Sequence, residues 1–186
     1  MAKRKTKKRK KVNSGIKALL ETGLFFLVVL AITYILVNYV VQKTVVHNVS
    51  MNETLYDGDN IIMDKISYIT GEPERFDIIC FKSYSEKDLL IKRIIGLPGE
   101  TVRILAGTIY INGEELKDVK GLEPPENPGK AADLITLSDD EYFVLGDNRV
   151  ESVDSRYVEV GNVRRKDILG KASYIIYPFD RMGKIK

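Results

Sequence analysis

Ser50 and Lys92 are the residues of this sequence best placed by type to do chemistry. Ser50 sits in "HNVSMNETLYDGD", residues 47–59, three positions after the chain's one histidine. A serine needs a base to become a nucleophile. In extended backbone, residues three apart point to opposite faces, so His47 is poorly set to serve Ser50, and a Ser-His-Asp triad would rest on His47 alone. Lys92 lies in "DLLIKRIIGLPGE", between Leu89, Leu90, Ile91, Ile94 and Ile95. In a strand, Leu90 and Ile94 share its face. Apolar neighbours disfavour the charged ammonium, which moves an amine from its usual ~10.4 toward the ~7–8 useful for proton transfer. Arg93 cannot take that part, because a guanidinium stays protonated. The competing reading is a lysine that snorkels from a strand to solvent. A third stretch, "LGDNRVESVDSRYVEVGNV" (145–163), gathers Asp147, Asn148, Arg149, Ser152, Asp154, Ser155 and Arg156 in a turn-rich segment. An Asp154–Arg156 ion pair would brace it.

The elements that must position these groups begin with a basic tail and a greasy run. Residues 1–11 carry eight Lys/Arg and no acid, whereas the rest of the chain holds 21 Lys/Arg against 26 acids. Basic charge confined to a tail excludes a nucleic-acid-binding body. Gly23 to Val41 is uncharged over 19 residues, about 28 Å as a helix and close to the ~30 Å hydrocarbon core. Its apolar residues form no stripe, as suits lipid on all sides. The run exceeds a signal-peptide core and lacks a small-residue cleavage site, so it reads as a retained anchor. The basic cluster before it keeps the N-terminus cytoplasmic and touches anionic lipid. The expected layout is a tail over 1–15, a single-pass anchor in the cell membrane over 16–42, and an extracytoplasmic domain over 43–186. Val41 and Ser50 are nine residues apart, at most about 30 Å, so the nucleophile lies near the outer membrane face.

The outer domain shows short β-branched runs broken by Gly, Pro, Asn and Asp: "TVVHNV", "NIIMDKI", "FDIICFK", "LLIKRIIG", "ETVRIL", "TIYING", "EYFVLG" and "ASYIIYPF". Asn112-Gly113 predicts a type I′ hairpin, and "LAGT" a second turn. The expected fold class is mainly β, a largely antiparallel domain tethered by one N-terminal transmembrane helix. The Pro-rich segment 120–133 is expected to be an exposed insert. The lone Cys80, in an apolar strand, reads as a core residue. No spacing of His, Cys and carboxylates predicts a metal site, and no glycine-rich loop has the setting for phosphate.

Taken together, these segments resemble the type I signal peptidases of bacteria, in their Gram-positive form, from the anchor to the C-terminus. "SMNETLYDGD" is similar to the family's serine box, "SM-x-P-T-L" followed by Gly-Asp, and "DNIIMDK" to the next box. "FDIICFK…LLIKRIIGLPGE" is similar to the lysine box with its "KR-x-x-GLPG-[DE]" core, and "GDNRVESVDSR" to the "GDNR-x-x-S-x-DSR" box. The resemblance implies a serine endopeptidase that removes signal peptides from secreted preproteins, without a cofactor. It implies Ser50 as nucleophile and Lys92 as general base, with Ser152 contacting and orienting Lys92. It implies Asp154 and Arg156 as a supporting ion pair, with Gly146, Asp147, Asn148 and Arg149 forming the GDNR turn. The oxyanion would be held by the Ser50 backbone N–H, with Asn48 as a candidate second donor through its amide. Met51, Leu90 and Ile91 are candidate walls of shallow pockets for small residues, and the substrate is expected to pair with a strand edge.

Two positions depart from the family pattern. Glu53 stands where proline is usual, which predicts a looser turn. Asn48 stands where Gly or Ser is typical. The alternatives are a sortase-like thiol enzyme using Cys80 and His47, and a non-catalytic relative, an anchored β domain assisting pilus or surface-protein assembly.

Overall fold

The computed structural model describes residues 14–35, 41–83, 89–117 and 124–185. The tail of residues 1–13, the linker 36–40 and the first part of the expected insert (120–123) lie outside the described residues. The chain divides into two units, Met1–Asn38 and Tyr39–Lys186.

The first unit contains helix α1, Ser14–Ile35. Gly15–Tyr34 is long and apolar enough to cross a membrane. The helix starts before the uncharged run and takes in Lys17 and Glu21, four residues apart and 3.7 Å from each other. At the other end, Val41 and Gln42, expected to close the anchor, instead open strand β1 (Val41–Val45) and pair with Asp64 and Met63. The β-branched residues Val41, Thr44 and Val45 suit a pleated ladder better than a helix end.

The second unit is antiparallel β throughout its described pairings. β2 (Asn60–Asp64), β3 (Ile78–Lys82), β4 (Leu89–Gly96), β9 (Glu141–Leu145), β10 (Val163–Arg164) and β11 (Ile168–Tyr177) join β1 in the order β1-β2-β11-β3-β4-β9-β10. β12 (Gly183–Lys184) folds back on β11. A second sheet takes β5 (Thr101–Leu105), β6 (Thr108–Ile111), β7 (Glu114–Glu115) and β8 (Ile135–Thr136) in the order β7-β6-β5-β8. This split into two sheets has no counterpart in the strand list read from sequence. Both predicted turns are present. Asn112 and Gly113 have φ of 52° and 84°, and Ala106 and Gly107 have 48° and 82°. Positive φ at both central residues is the type I′ signature.

Period-two burial explains the strands. Ile61 and Met63 of β2, and Val102 and Ile104 of β5, point inward while their neighbours do not. β4 differs: from Ile91 to Gly96 every residue is buried, charged ones included. Leu90 and Ile94 join an apolar cluster with Ile79 and Phe81, while Ile91 joins another with Met51, Leu55 and Cys80.

The described part of the Pro-rich segment, 124–133, is largely exposed or half-buried but is tied down at two points. Pro125 and Ala131 are buried. The segment docks on Arg156, whose Nη1 donates to the Asn127 carbonyl (3.0 Å) and whose own carbonyl accepts from Lys130 N–H (2.9 Å). A Cβ at Gly129 would lie 2.4 Å from that carbonyl, so this approach needs glycine.

Candidate active site

Ser50 and Lys92 come from different kinds of structure. Ser50 is on an irregular turn between β1 and β2. Asn52 N–H bonds the Val49 carbonyl (3.0 Å) and Leu55 N–H the Met51 carbonyl (2.8 Å). Asn48 and Glu53 both adopt positive φ, 71° and 84°. Lys92 is in the middle of β4, opposite Ile79 of β3, and is 3% exposed. Its Nζ lies 2.6 Å from Ser50 Oγ. That contact unites the two residues singled out for nucleophile and base. His47 is exposed and takes no part in it.

Four side chains hold the turn against β4. Arg93 donates to both oxygens of Asp147, from Nε at 2.8 Å and Nη2 at 2.7 Å. Both side chains are buried, so this fork is a charge-assisted pair shielded from water. Thr54 Oγ1 donates to the same carboxylate at 2.5 Å, tying the serine turn to the pair. Asn148 adds two more bonds, from its N–H to the Ser50 carbonyl (3.2 Å) and from Nδ2 to the Val49 carbonyl (3.1 Å). Gly146 permits this close approach, since a Cβ there would sit 2.4 Å from the Ser50 carbonyl oxygen and 2.2 Å from Ser152 Oγ.

Behind this layer, Asp154 and Arg156 form the expected ion pair, Nε–Oδ1 2.8 Å, both fully buried. Asp154 also accepts from Gly146 N–H (3.0 Å), and Arg156 donates to the carbonyls of Arg149 and Ser152. Arg149 is buried beside both carboxylates, and that burial pulls its guanidinium below the usual arginine range. Ser152 is buried, but its hydroxyl has no hydrogen-bond partner among the described residues.

Met51, Leu90 and Ile91 all line one groove of about 620 Å³, together with Lys43–Asn48. β1 pairs only with β2, and β9 pairs with β4 only from Arg93 onward. Among the described residues, β1 and the Leu89–Ile91 stretch therefore each keep one edge without a ladder partner. Asn48 is exposed beside this groove. Its N–H donates to Asp57 Oδ1 (2.9 Å). The turn that carries Glu53 in place of the usual proline is closed by the hydrogen bonds above. The Glu53 φ of 84° is one that proline, fixed near −65°, cannot adopt. Cys80 is fully buried and its thiol is pushed up to about 12 by that burial, which removes it as a nucleophile at neutral pH.

Sequence reasoning missed Arg93 and Thr54. Alternation places Arg93 on the face opposite Lys92, and a buried guanidinium needs a carboxylate. That was the available signal.

An alcohol in contact with a sheltered amine, beside two open strand edges, is an arrangement suited to the serine peptidases that use a lysine base. Residues 19–177 match the family described as signal peptidase, peptidase S26. The chain belongs to that family. It is 33% identical over 185 residues to a signal peptidase I P of Bacillus subtilis subsp. natto, covering 96% of this chain and 99% of the relative. It is 38% identical over 151 residues to a probable signal peptidase I-2 of Synechocystis, covering 78% and 67%. A crystal structure of a signal peptidase I from Enterococcus faecalis V583 shares 38% identity over 55% of this chain and 97% of that one, with a TM-score of 0.45.

Proposed function

We propose that this chain is a serine endopeptidase that removes signal peptides from preproteins, with Ser50 as nucleophile and Lys92 as general base. The 2.6 Å Nζ–Oγ contact in a buried setting carries the reading. Burial disfavours the ammonium, so the amine acts in its neutral form. It takes the hydroxyl proton as Oγ bonds to the scissile carbonyl carbon. The proton then passes to the departing amine as the C–N bond breaks. Water, deprotonated by the same lysine, cleaves the acyl-enzyme ester and restores Ser50.

The tetrahedral oxyanion is held by the Ser50 N–H, with the Asn48 amide as second donor. Asn48→Ala then lowers kcat; an unchanged kcat removes that role. The substrate lies extended in the groove between β1 and Leu89–Ile91, its backbone pairing with those strand edges and its small side chains meeting Met51, Leu90 and Ile91. Asp147, Asn148, Asp154 and Arg156 keep the turn and strand in register, and rotation of the Ser152 hydroxyl supplies Lys92 with a further partner. Helix α1 anchors the enzyme in the cell membrane, with the basic tail cytoplasmic and in contact with lipid, and the β domain outside.

The test is incubation of wild type, Ser50→Ala and Lys92→Ala with a preprotein in detergent, with the product read by N-terminal sequencing. Wild type yields the mature N-terminus and both variants yield none. Cleavage by Lys92→Ala at the wild-type rate rejects the mechanism. A folded wild type that cleaves no preprotein favours the non-catalytic alternative.

A further inference from the structure

Four residues from the nucleophile, Thr54 is gripped from two directions. Its hydroxyl reaches Asp147, as described above. Its backbone carbonyl accepts from Nη2 of Arg181 at 3.1 Å, a residue 127 positions later in the turn between β11 and β12. Arg181 also forks onto Asp59, Nη1 lying 2.9 and 2.8 Å from its two oxygens, and its guanidinium stacks 4.1 Å from the centroid of the Tyr56 ring. Asp59 is 2% exposed and closes the base of the serine loop. Its carboxylate accepts from Tyr56 N–H (2.8 Å), and its carbonyl accepts from Val46 N–H (2.8 Å), where the chain enters the loop.

We infer that Arg181 is a positioning residue for the reaction, holding the serine turn so that Ser50 Oγ stays within reach of Lys92. The inference rests on the Ser50/Lys92 reading above. One planar fork meets three groups of the same loop: the Asp59 carboxylate, the Thr54 carbonyl and the Tyr56 ring. Lys92 needs no such help, because β3 fixes its strand. The serine turn has no ladder of its own, so its distance from Nζ depends on what grips it from outside. Lysine at position 181 keeps a charge opposite Asp59 but lacks the planar fork that serves the carbonyl and the ring together.

The experiment compares Arg181→Lys and Arg181→Met with wild type, and with Ser50→Ala and Lys92→Ala, on one preprotein in detergent. It reads kcat, KM and the thermal midpoint. Arg181→Met is expected to lose about 10- to 100-fold in kcat, the scale of a misplaced reacting atom, with KM within about twofold. Arg181→Lys is expected to keep the wild-type midpoint yet remain several-fold low in kcat. Wild-type kcat in Arg181→Lys overturns the inference, because charge alone would then suffice. So does a kcat loss in Arg181→Met that only tracks the unfolded fraction. If Ser50→Ala or Lys92→Ala cleaves normally, the underlying mechanism fails instead, which the Arg181 variants alone would not report.

Discussion

The two halves of the reacting pair are held by opposite means. Lys92 is set by regular structure, on a strand paired with β3 and buried from Ile91 onward. Ser50 is set by exceptions: two non-glycine residues at positive φ, a carbonyl gripped by a distant N–H, and a threonine shared among neighbours. A strand fixes its residues through many equivalent bonds, and losing one moves little. A turn fixed by a few unlike contacts shifts when any one is lost. Damage to activity should therefore concentrate on the serine side, even where the substituted residue never touches substrate.

The sharpest break is at the tie between the halves. Asp147→Ala leaves the buried Arg93 guanidinium without its carboxylate, and should cost about 3–5 kcal/mol of stability, read by denaturant unfolding. A loss below 1 kcal/mol would mean that Arg93 finds another partner. Gly146→Ala should spare the strand and push the serine turn away, since its Cβ meets the Ser50 carbonyl oxygen at 2.4 Å. A fall in kcat of about 100-fold with the β signature of the circular dichroism intact is expected. Equal loss of both would put the damage in the fold.

Position 53 probes the turn alone, with two substitutions of opposite sign. Glu53→Gly removes the left-handed strain and should raise stability by about 1 kcal/mol. Glu53→Pro, although it restores the residue usual in the family, cannot take φ of 84° and should lower both stability and activity. An active, stable proline variant would show that the turn has a second closed form. The smallest effect lies on the strand side. Cys80, opposite Ile91, should be replaceable by alanine with activity retained. Its thiol, pushed up to about 12, should resist iodoacetamide at pH 8 in the folded protein.

What could be read in advance follows the same division. Seven of the longer strand segments and both hairpin turns were legible, because period-two burial and turn chemistry are local signals. The run at 44–49, by contrast, overlaps β1 only at Thr44 and Val45, and the pairing of Ser50 with Lys92, 42 residues apart, was legible only through the family resemblance. The Arg93–Asp147 pair spans 54 residues and showed only as a charge that alternation turns inward. Arg181 and Asp59 lie 122 residues apart, and no neighbour of either announces the other. The docking of the Pro-rich segment escaped for a similar reason, since its composition speaks for a loop and is silent about what the loop lies against. The helix boundary was displaced because absence of charge marks lipid-compatible sequence, whereas Val41 and Gln42 answer to a partner strand.

The slot flanked by β1 and the first half of β4 presents strand edges along both margins. A peptide that satisfies both margins must offer its own amides and carbonyls sideways, which a coiled backbone cannot do because it spends them internally. If preproteins bind by the proposed edge pairing, selection at this cleft begins with conformation: a region that stays helical would pass uncut, and the scissile bond would fall where the helix has already ended.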